Sequence, residues 1–143
     1  MSDGLRQATT ILRFDTRGRG LLEITRAVSD WVSSCRMRSG LLTLFIRHTS
    51  AGLLVQENAD PDVQGDLDRF FSRLVKDGDP LFRHRDEGDD DMAAHVRTAL
   101  TQVELSIPLV EGRLALGTWQ GVYIFEHRAR AHRREVAAHL IGD

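Results

Sequence analysis

Apolar and polar positions change period along this chain, and the changes mark out its elements. Around residues 7–16, Leu12 and Phe14 alternate with Arg13 and Asp15, the two-residue period of a half-buried strand, and Arg17-Gly18-Arg19-Gly20 ends it. Leu21, Ile24, Thr25, Val28, Trp31 and Val32 then recur at three and four residues, which predicts an amphipathic helix from Leu21 to about Arg36. Ser39-Gly40 breaks that helix. The continuous apolar run Leu41 to Ile46 predicts a strand buried on both faces, and His48 continues the face of Leu42, Leu44 and Ile46 as the chain emerges.

Leu53-Leu54-Val55 predicts a further short strand leading to Gln56-Glu57-Asn58. Asp60-Pro61-Asp62 is a helix start, with Asp60 as cap and Pro61 in the first turn, and Val63, Leu67, Phe70, Phe71 and Leu74 carry the helix to about Val75. After the turn cluster Lys76-Asp77-Gly78-Asp79-Pro80, Asp89-Asp90-Asp91 directly precede a third helical pattern, with Met92, Val96, Ala99 and Leu100 on one side, which is expected to end near Ala99 or Leu100. Val103, Leu105 and Ile107 alternate into a strand that Pro108 ends or edges, Glu111-Gly112 reads as a hairpin turn, and Val122-Tyr123-Ile124-Phe125 is another strand, ending in Glu126 and His127. Glu135 to Ile141 suits a strand or a helix equally. No repeat, linker or low-complexity tract divides the chain, so residues 1–143 are expected to form one domain.

Composition narrows the class. A formal net charge of −2 on 143 residues advertises neither nucleic acid nor disorder. Cys35 is the only cysteine, which excludes an intrachain disulfide and a thiolate metal cluster and fits a reducing, cytoplasmic setting. The start Met1-Ser2-Asp3-Gly4 carries no apolar signal segment, and no run is long enough to span a bilayer.

Chemistry concentrates in Arg83 to His95, where five carboxylates, Asp86, Glu87, Asp89, Asp90 and Asp91, lie between His84 and His95. One or two acids suffice to start a helix, whereas five repel one another and call for a cation or full solvation. Asp91 and His95 are four residues apart and share a helix face. A basic cluster, Arg128 to Arg134, has the opposite sign, and guanidinium forks match phosphate oxygens. Ser50 has no nucleophile elbow around it and reads as a binding or turn residue. Trp119 is expected to pack between sheets, with Gln120 the better ligand contact. Of Glu57 and Asn58, only one can face a shared pocket if the strand persists.

Taken in order, His48-Thr49-Ser50-Ala51, Glu57-Asn58-Ala59-Asp60-Pro61, Glu87-Gly88 with the aspartates and His95, Gly117-Thr118-Trp119-Gln120-Gly121, and Glu126-His127-Arg128 resemble the YjbQ-like family over nearly the whole chain. The resemblance implies a compact α+β fold of mainly antiparallel sheet with about three helices, a homotrimer, and a last segment that is a strand. It also implies secondary thiamine-phosphate synthase activity, joining a hydroxymethylpyrimidine diphosphate to a thiazole phosphate. Gln102-Val103-Glu104 stands where members usually carry Gly-x-Ser, and Arg85-Asp86 where another member type has an acid and an aromatic.

On this reading His48, His95 and Glu126 are the candidate catalytic groups, and Asn58, Thr118, Gln120, Arg128 and Arg134 the candidate substrate ligands. His84, Asp91 and His95 are candidate ligands of a divalent ion, Mg or Zn. For the synthase, Asp89, Asp90 and Asp91 would hold the cation while Arg128, Arg133 or Arg134 takes the diphosphate. Because four histidines, His48, His84, His95 and His127, exceed what that reaction needs, a metal-dependent phosphate-ester hydrolase is the enzyme alternative. A trimeric small-ligand or phosphate-binding protein without catalysis is the third.

Overall fold

The computed structural model describes residues 4–143; the reading of the chain start at residues 1–3 lies outside them. In order the elements are β1 (Arg6–Asp15), β2 (Gly20–Glu23), α1 (Thr25–Ser34), β3 (Gly40–Ile46), β4 (Ala51–Glu57), α2 (Pro61–Leu74), α3 (Asp89–Leu100), β5 (Glu104–Val110), β6 (Arg113–Leu114), β7 (Gln120–Glu126) and β8 (Arg133–Gly142). They form an α+β fold of two antiparallel sheets and three helices. The larger sheet has strand order β1-β8-β3-β5-β6 and the smaller β2-β7-β4.

The core lies between the sheets. Leu42, Leu44, Ile46, Leu105, Ile107, Val136 and Leu140 point inward from the larger sheet, and Leu53, Val122 and Ile124 meet them from the smaller. Val28 and Val32 of α1 join this cluster, and both are buried. The last segment is a strand, paired with β1 on one side and β3 on the other.

Four local expectations are corrected. The predicted helix from Leu21 begins only at Thr25, because Leu21 and Leu22 form β2 and pair with Phe125 and Ile124 of β7. Pairing to an existing strand outweighs a helical period supplied by two leucines. Strand β3 is buried on one face rather than two: Leu42, Leu44 and Ile46 are buried, while Leu41 and Phe45 are 41% and 47% exposed, since no helix among the described residues covers that side. The inward side of α3 is Asp91, Ala93, Ala94 and Arg97, and Leu100 is exposed. Its small alanines let the helix approach β4, a choice that a search for large apolar residues misses. Trp119 does not pack between sheets; it is 63% exposed in the turn before β7.

Helix α2 starts as its sequence implies, with the Asp60 carboxylate accepting from the Asp62 amide and Pro61 in the first turn. It lies on the periphery, with no residue buried and with Phe70 and Leu74 half exposed. No helix of the described residues is long and apolar enough to cross a membrane.

Candidate functional site

Helix α3 brings Asp91 and His95 onto one face, and the chain before it returns His84 to the same point. His84 Nε2 lies 2.7 Å and His95 Nε2 lies 3.0 Å from the same carboxylate oxygen, Oδ2 of Asp91. The Asp91 side chain is 3% exposed, whereas His84 and His95 are 41% and 31% exposed, so the cluster has a buried floor and an open mouth.

The surroundings fix each member. The Thr49 carbonyl, in the loop between β3 and β4, lies 2.8 Å from His95 Nδ1. A carbonyl can only accept, so Nδ1 carries a proton, and unless Nε2 carries one as well it turns a lone pair to the Asp91 oxygen. Two acceptors at that separation need a proton or a cation between them. On the other side Arg128 donates from Nη1 to Asp91 Oδ1 at 2.8 Å, from Nε to Asp90 Oδ2 at 2.9 Å, and from Nη2 to the Glu87 carbonyl at 3.0 Å. One oxygen of Asp91 is thus held by arginine and the other is turned to the histidines.

Burial alone would raise the Asp91 pKa, but the His84 hydrogen bond and the charges of His95 and Arg128 outweigh it and hold the group below the usual range. Asp90 is likewise opposed by burial, yet Arg128 and the Ala129 amide lower it to about 2. Both acids are carboxylates at neutral pH.

Three ligand atoms, one each from His84, Asp91 and His95, lie within 4.8 Å of one another. Around an ion with bonds of about 2.0–2.2 Å, tetrahedral ligands stand roughly 3.4 Å apart. The two separations from Asp91 Oδ2, 2.7 Å to His84 and 3.0 Å to His95, are about 0.7 and 0.4 Å shorter than that tetrahedral spacing, and the exposed His84, which has the larger difference, can swing outward. Two imidazoles, one carboxylate and an open fourth side fit a catalytic zinc-like site better than magnesium, which prefers oxygens and nearly octahedral geometry. The expected cage of Asp89, Asp90 and Asp91 is not formed: Asp90 and one oxygen of Asp91 are spent on Arg128, and Asp89 is exposed.

The other expected site residues fall elsewhere. His48 Nε2 accepts from the Glu135 amide at 2.7 Å, which requires an unprotonated Nε2, and burial followed by the charge of Arg134 lowers its pKa. Glu126 is 0% exposed and forms a buried ion pair with Arg134, with Arg134 Nε donating at 2.8 Å; Thr16 Oγ1 also donates to the carboxylate at 2.6 Å. Arg134 Nη2 adds a bond to Ser50 Oγ at 3.0 Å. Glu126 and Arg134 therefore brace the loop behind the cluster rather than present atoms to a ligand. Arg128 is a clamp on two acids, not a free phosphate ligand.

Asn58, Thr118 and Gln120 stand at the opposite end of the smaller sheet. The register pairs Ala51 with Glu126 at the histidine end and Glu57 with Gln120 at the other, six residues along the strands and therefore about 20 Å away. At that far end Glu57 turns back to accept from the Ala59 and Asp60 amides, Asn58 reaches Glu23 at 3.4 Å, and the Gln120 side-chain oxygen Oε1 accepts from the Gly117 amide at 2.7 Å. Within one chain the motifs form two polar ends, not one composite site.

Sequence reasoning missed the Thr49 carbonyl, which has no residue-type signal, and buried Arg97, whose position on the inner side of α3 was assigned to apolar residues. Arg97 is 1% exposed, and burial lowers its pKa.

The fold and cluster together define a class: a small α+β protein with two antiparallel sheets and a two-histidine, one-carboxylate group at a helix start. The chain belongs to the YjbQ-like UPF0047 family, whose profile, described as UPF0047 protein YjbQ-like, matches residues 10–143. It is 49% identical over 138 residues to a UPF0047 protein of Synechocystis sp., covering 96% of this chain and 94% of that one. A YjbQ protein of Salmonella typhimurium is 40% identical over 126 residues, with 87% and 91% covered. Among solved structures, a conserved hypothetical protein of Thermus thermophilus is 38% identical with a TM-score of 0.80, covering 90% of this chain and 97% of that one. A YbjQ-like protein of unknown function from Sulfolobus solfataricus, at 19% identity, shares the fold alone, with a TM-score of 0.88 and 98% and 100% covered.

Proposed function

We propose that this protein is an enzyme acting on a small phosphorylated molecule at a divalent transition-metal centre held by His84, Asp91 and His95, with phosphate-ester hydrolysis as its reaction type. The observation that carries this reading is the convergence of two imidazole Nε2 atoms on one oxygen of a buried carboxylate whose other oxygen is fixed by Arg128. When bound, such an ion supplies Lewis acidity toward a phosphoryl oxygen. The chain supplies the rest: Thr49 sets the His95 tautomer, Arg128 orients Asp91, and the exposed edge of His84 leaves room for a ligand.

Elemental analysis of purified protein should find about one transition ion per chain, and hydrolysis of p-nitrophenyl phosphate should be lost on chelation and in His95→Ala. A metal-free protein with chelator-insensitive activity overturns the reading. The thiamine-phosphate synthase activity implied by the family resemblance is tested in parallel, by supplying the pyrimidine diphosphate and the thiazole phosphate; formation of thiamine phosphate would replace hydrolysis as the assigned reaction.

A homotrimer is part of the proposal. The outer face of the larger sheet supports it, because Leu41 and Phe45 stand exposed there with no covering element among the described residues. A monomer mass by light scattering at tens of micromolar would refute it. The single Cys35 supports a cytoplasmic setting.

A further inference from the structure

Two loops meet beside the histidine cluster, and both carry arginines. The loop from β1 to β2 contributes Arg17 and Arg19, and the segment from β7 into β8 contributes Arg128, Arg130, Arg133 and Arg134. Four of these six guanidinium groups are committed: Arg19 to Asp77, Arg128 to Asp90 and Asp91, Arg133 to Asp15, and Arg134 to Glu126. Arg17 and Arg130 are exposed, and among the described residues neither has a carboxylate partner or a side-chain hydrogen bond. Other exposed arginines of the chain also lack acids; what sets Arg17 and Arg130 apart is that their backbones stand side by side, a Cβ on Gly18 lying 3.9 Å from the Arg130 carbonyl carbon.

The loops that carry them are fixed. Thr16 and His132 exchange hydrogen bonds, with the Thr16 amide donating to the His132 carbonyl at 2.8 Å and the His132 amide donating to Thr16 Oγ1 at 3.0 Å. Gly18 has φ of +113° and lies so close to the Ala129 carbonyl that a Cβ there would stand 2.7 Å from its oxygen. Ala129 in turn donates its amide to Asp90 Oδ2 at 2.9 Å, next to the candidate metal ligand Asp91. The backbones bearing Arg17 and Arg130 are therefore locked together and tied to the start of α3. A groove of about 480 Å³ runs along residues 15–22.

We propose that Arg17 and Arg130 form an anion-binding pair that takes the phosphate or diphosphate group of the substrate at the rim of the histidine cluster. This deepens the function proposed above by assigning the group that recognises its substrate. Two guanidinium forks on rigid loops offer planar, paired donors to phosphate oxygens with little ordering cost on binding. The committed arginines build the wall; the uncommitted ones face the ligand.

The test uses inorganic pyrophosphate and orthophosphate as probes, with binding measured by calorimetry on full-length protein freed of metal and of chelator. Wild type should bind pyrophosphate, with affinity falling as salt rises. The double variant Arg17→Gln/Arg130→Gln should bind it at least about 10-fold more weakly, equivalent to about 1.4 kcal/mol, with an unchanged thermal midpoint. Arg83→Gln/Arg85→Gln, which removes two charges on the other side of the cluster, should bind as wild type. Absence of binding at millimolar pyrophosphate, wild-type affinity in the Arg17/Arg130 variant, or equal loss in the Arg83/Arg85 variant would each overturn the assignment. Metal stoichiometry, measured separately on untreated protein, reports on the metal centre independently of this result.

Discussion

Substituting Asp91 by asparagine separates a metal centre from a mere hydrogen-bonded cluster. The carboxylate accepts from Arg128 at 2.8 Å and faces His84 and His95 at 2.7 and 3.0 Å. Asparagine keeps one oxygen for Arg128 but places an NH₂ group opposite the two Nε2 atoms. Arg128 retains Asp90, so no guanidinium is left wholly unpaired. The cost to the metal-free fold is then about 2 kcal/mol, below the roughly 3–5 kcal/mol of an orphaned buried charge. For a chain of this size that is a fall of about 4–8 °C in Tm. The effect on metal is larger in kind, since the only anionic member of the ligand set is lost and affinity should drop by at least about 100-fold. Calorimetric melting with and without zinc reads both. Wild type at 100 times its dissociation constant should gain about 2.7 kcal/mol, and Asp91→Asn at most about 0.4 kcal/mol at the same concentration. The reasoning fails if wild type gains no stability from zinc, manganese or cobalt, or if the variant retains a stoichiometric ion and the same gain.

Breaking the buried pair by Arg134→Met should cost about 3–5 kcal/mol, because Glu126 is left charged at 0% exposure, and Glu126→Gln added to it should recover part of that loss in urea unfolding; strict additivity would show that the two do not interact. His127 is fully buried, and burial followed by the charge of Arg97 lowers its pKa from 6.5 to about 3. The unfolded chain therefore binds a proton that the folded chain refuses between those values, so stability is whole above pH 6.5 and falls toward pH 3, by up to about 1.4 kcal/mol per pH unit. In His127→Gln the slope of stability between pH 6.5 and 4.5 should flatten, and an unchanged slope there would contradict the assignment. Gly52→Ala would place a Cβ 2.6 Å from the backbone oxygen of Gln102, where no side chain can yield, so a loss of about 1–3 kcal/mol is expected and a neutral result would show that the β4 contact is slack.

Local signals were the legible ones. The capped start of α2, the alternation of β1 and β5, and the four-residue spacing of Asp91 and His95 each depend on neighbours within one turn or one strand, and each is found where it was expected. Elements decided by distant partners were read less well. Leu21 and Leu22 fit a helix until β7, about a hundred residues later, is available to pair with them. Arg97 was overlooked because its place depends on the Val75 carbonyl just past α2, which accepts from it at 3.1 Å, a contact that no periodicity encodes.

The same distinction governs the site. The stretch Arg83 to His95 holds its chemistry within itself, so its two histidines and one of its acids could be found together from sequence, although the acids divided their roles only once Arg128 was placed. Asn58 and Gln120 are joined to it only through the register of β4 and β7, and that register sets them about 20 Å away along the sheet. Motifs that follow one another in order along a chain need not share a pocket. A strand is long enough to carry two at opposite ends, and antiparallel pairing brings together the first residue of one strand and the last of its neighbour. Ala51 thus meets Glu126, which lets the Thr49 carbonyl reach His95 and the Arg128 side chain reach Asp91, one turn apart on α3. The end of the sheet where those strands cross from pairing into loops is where the cluster could be assembled, and it is there that its metal content should be sought.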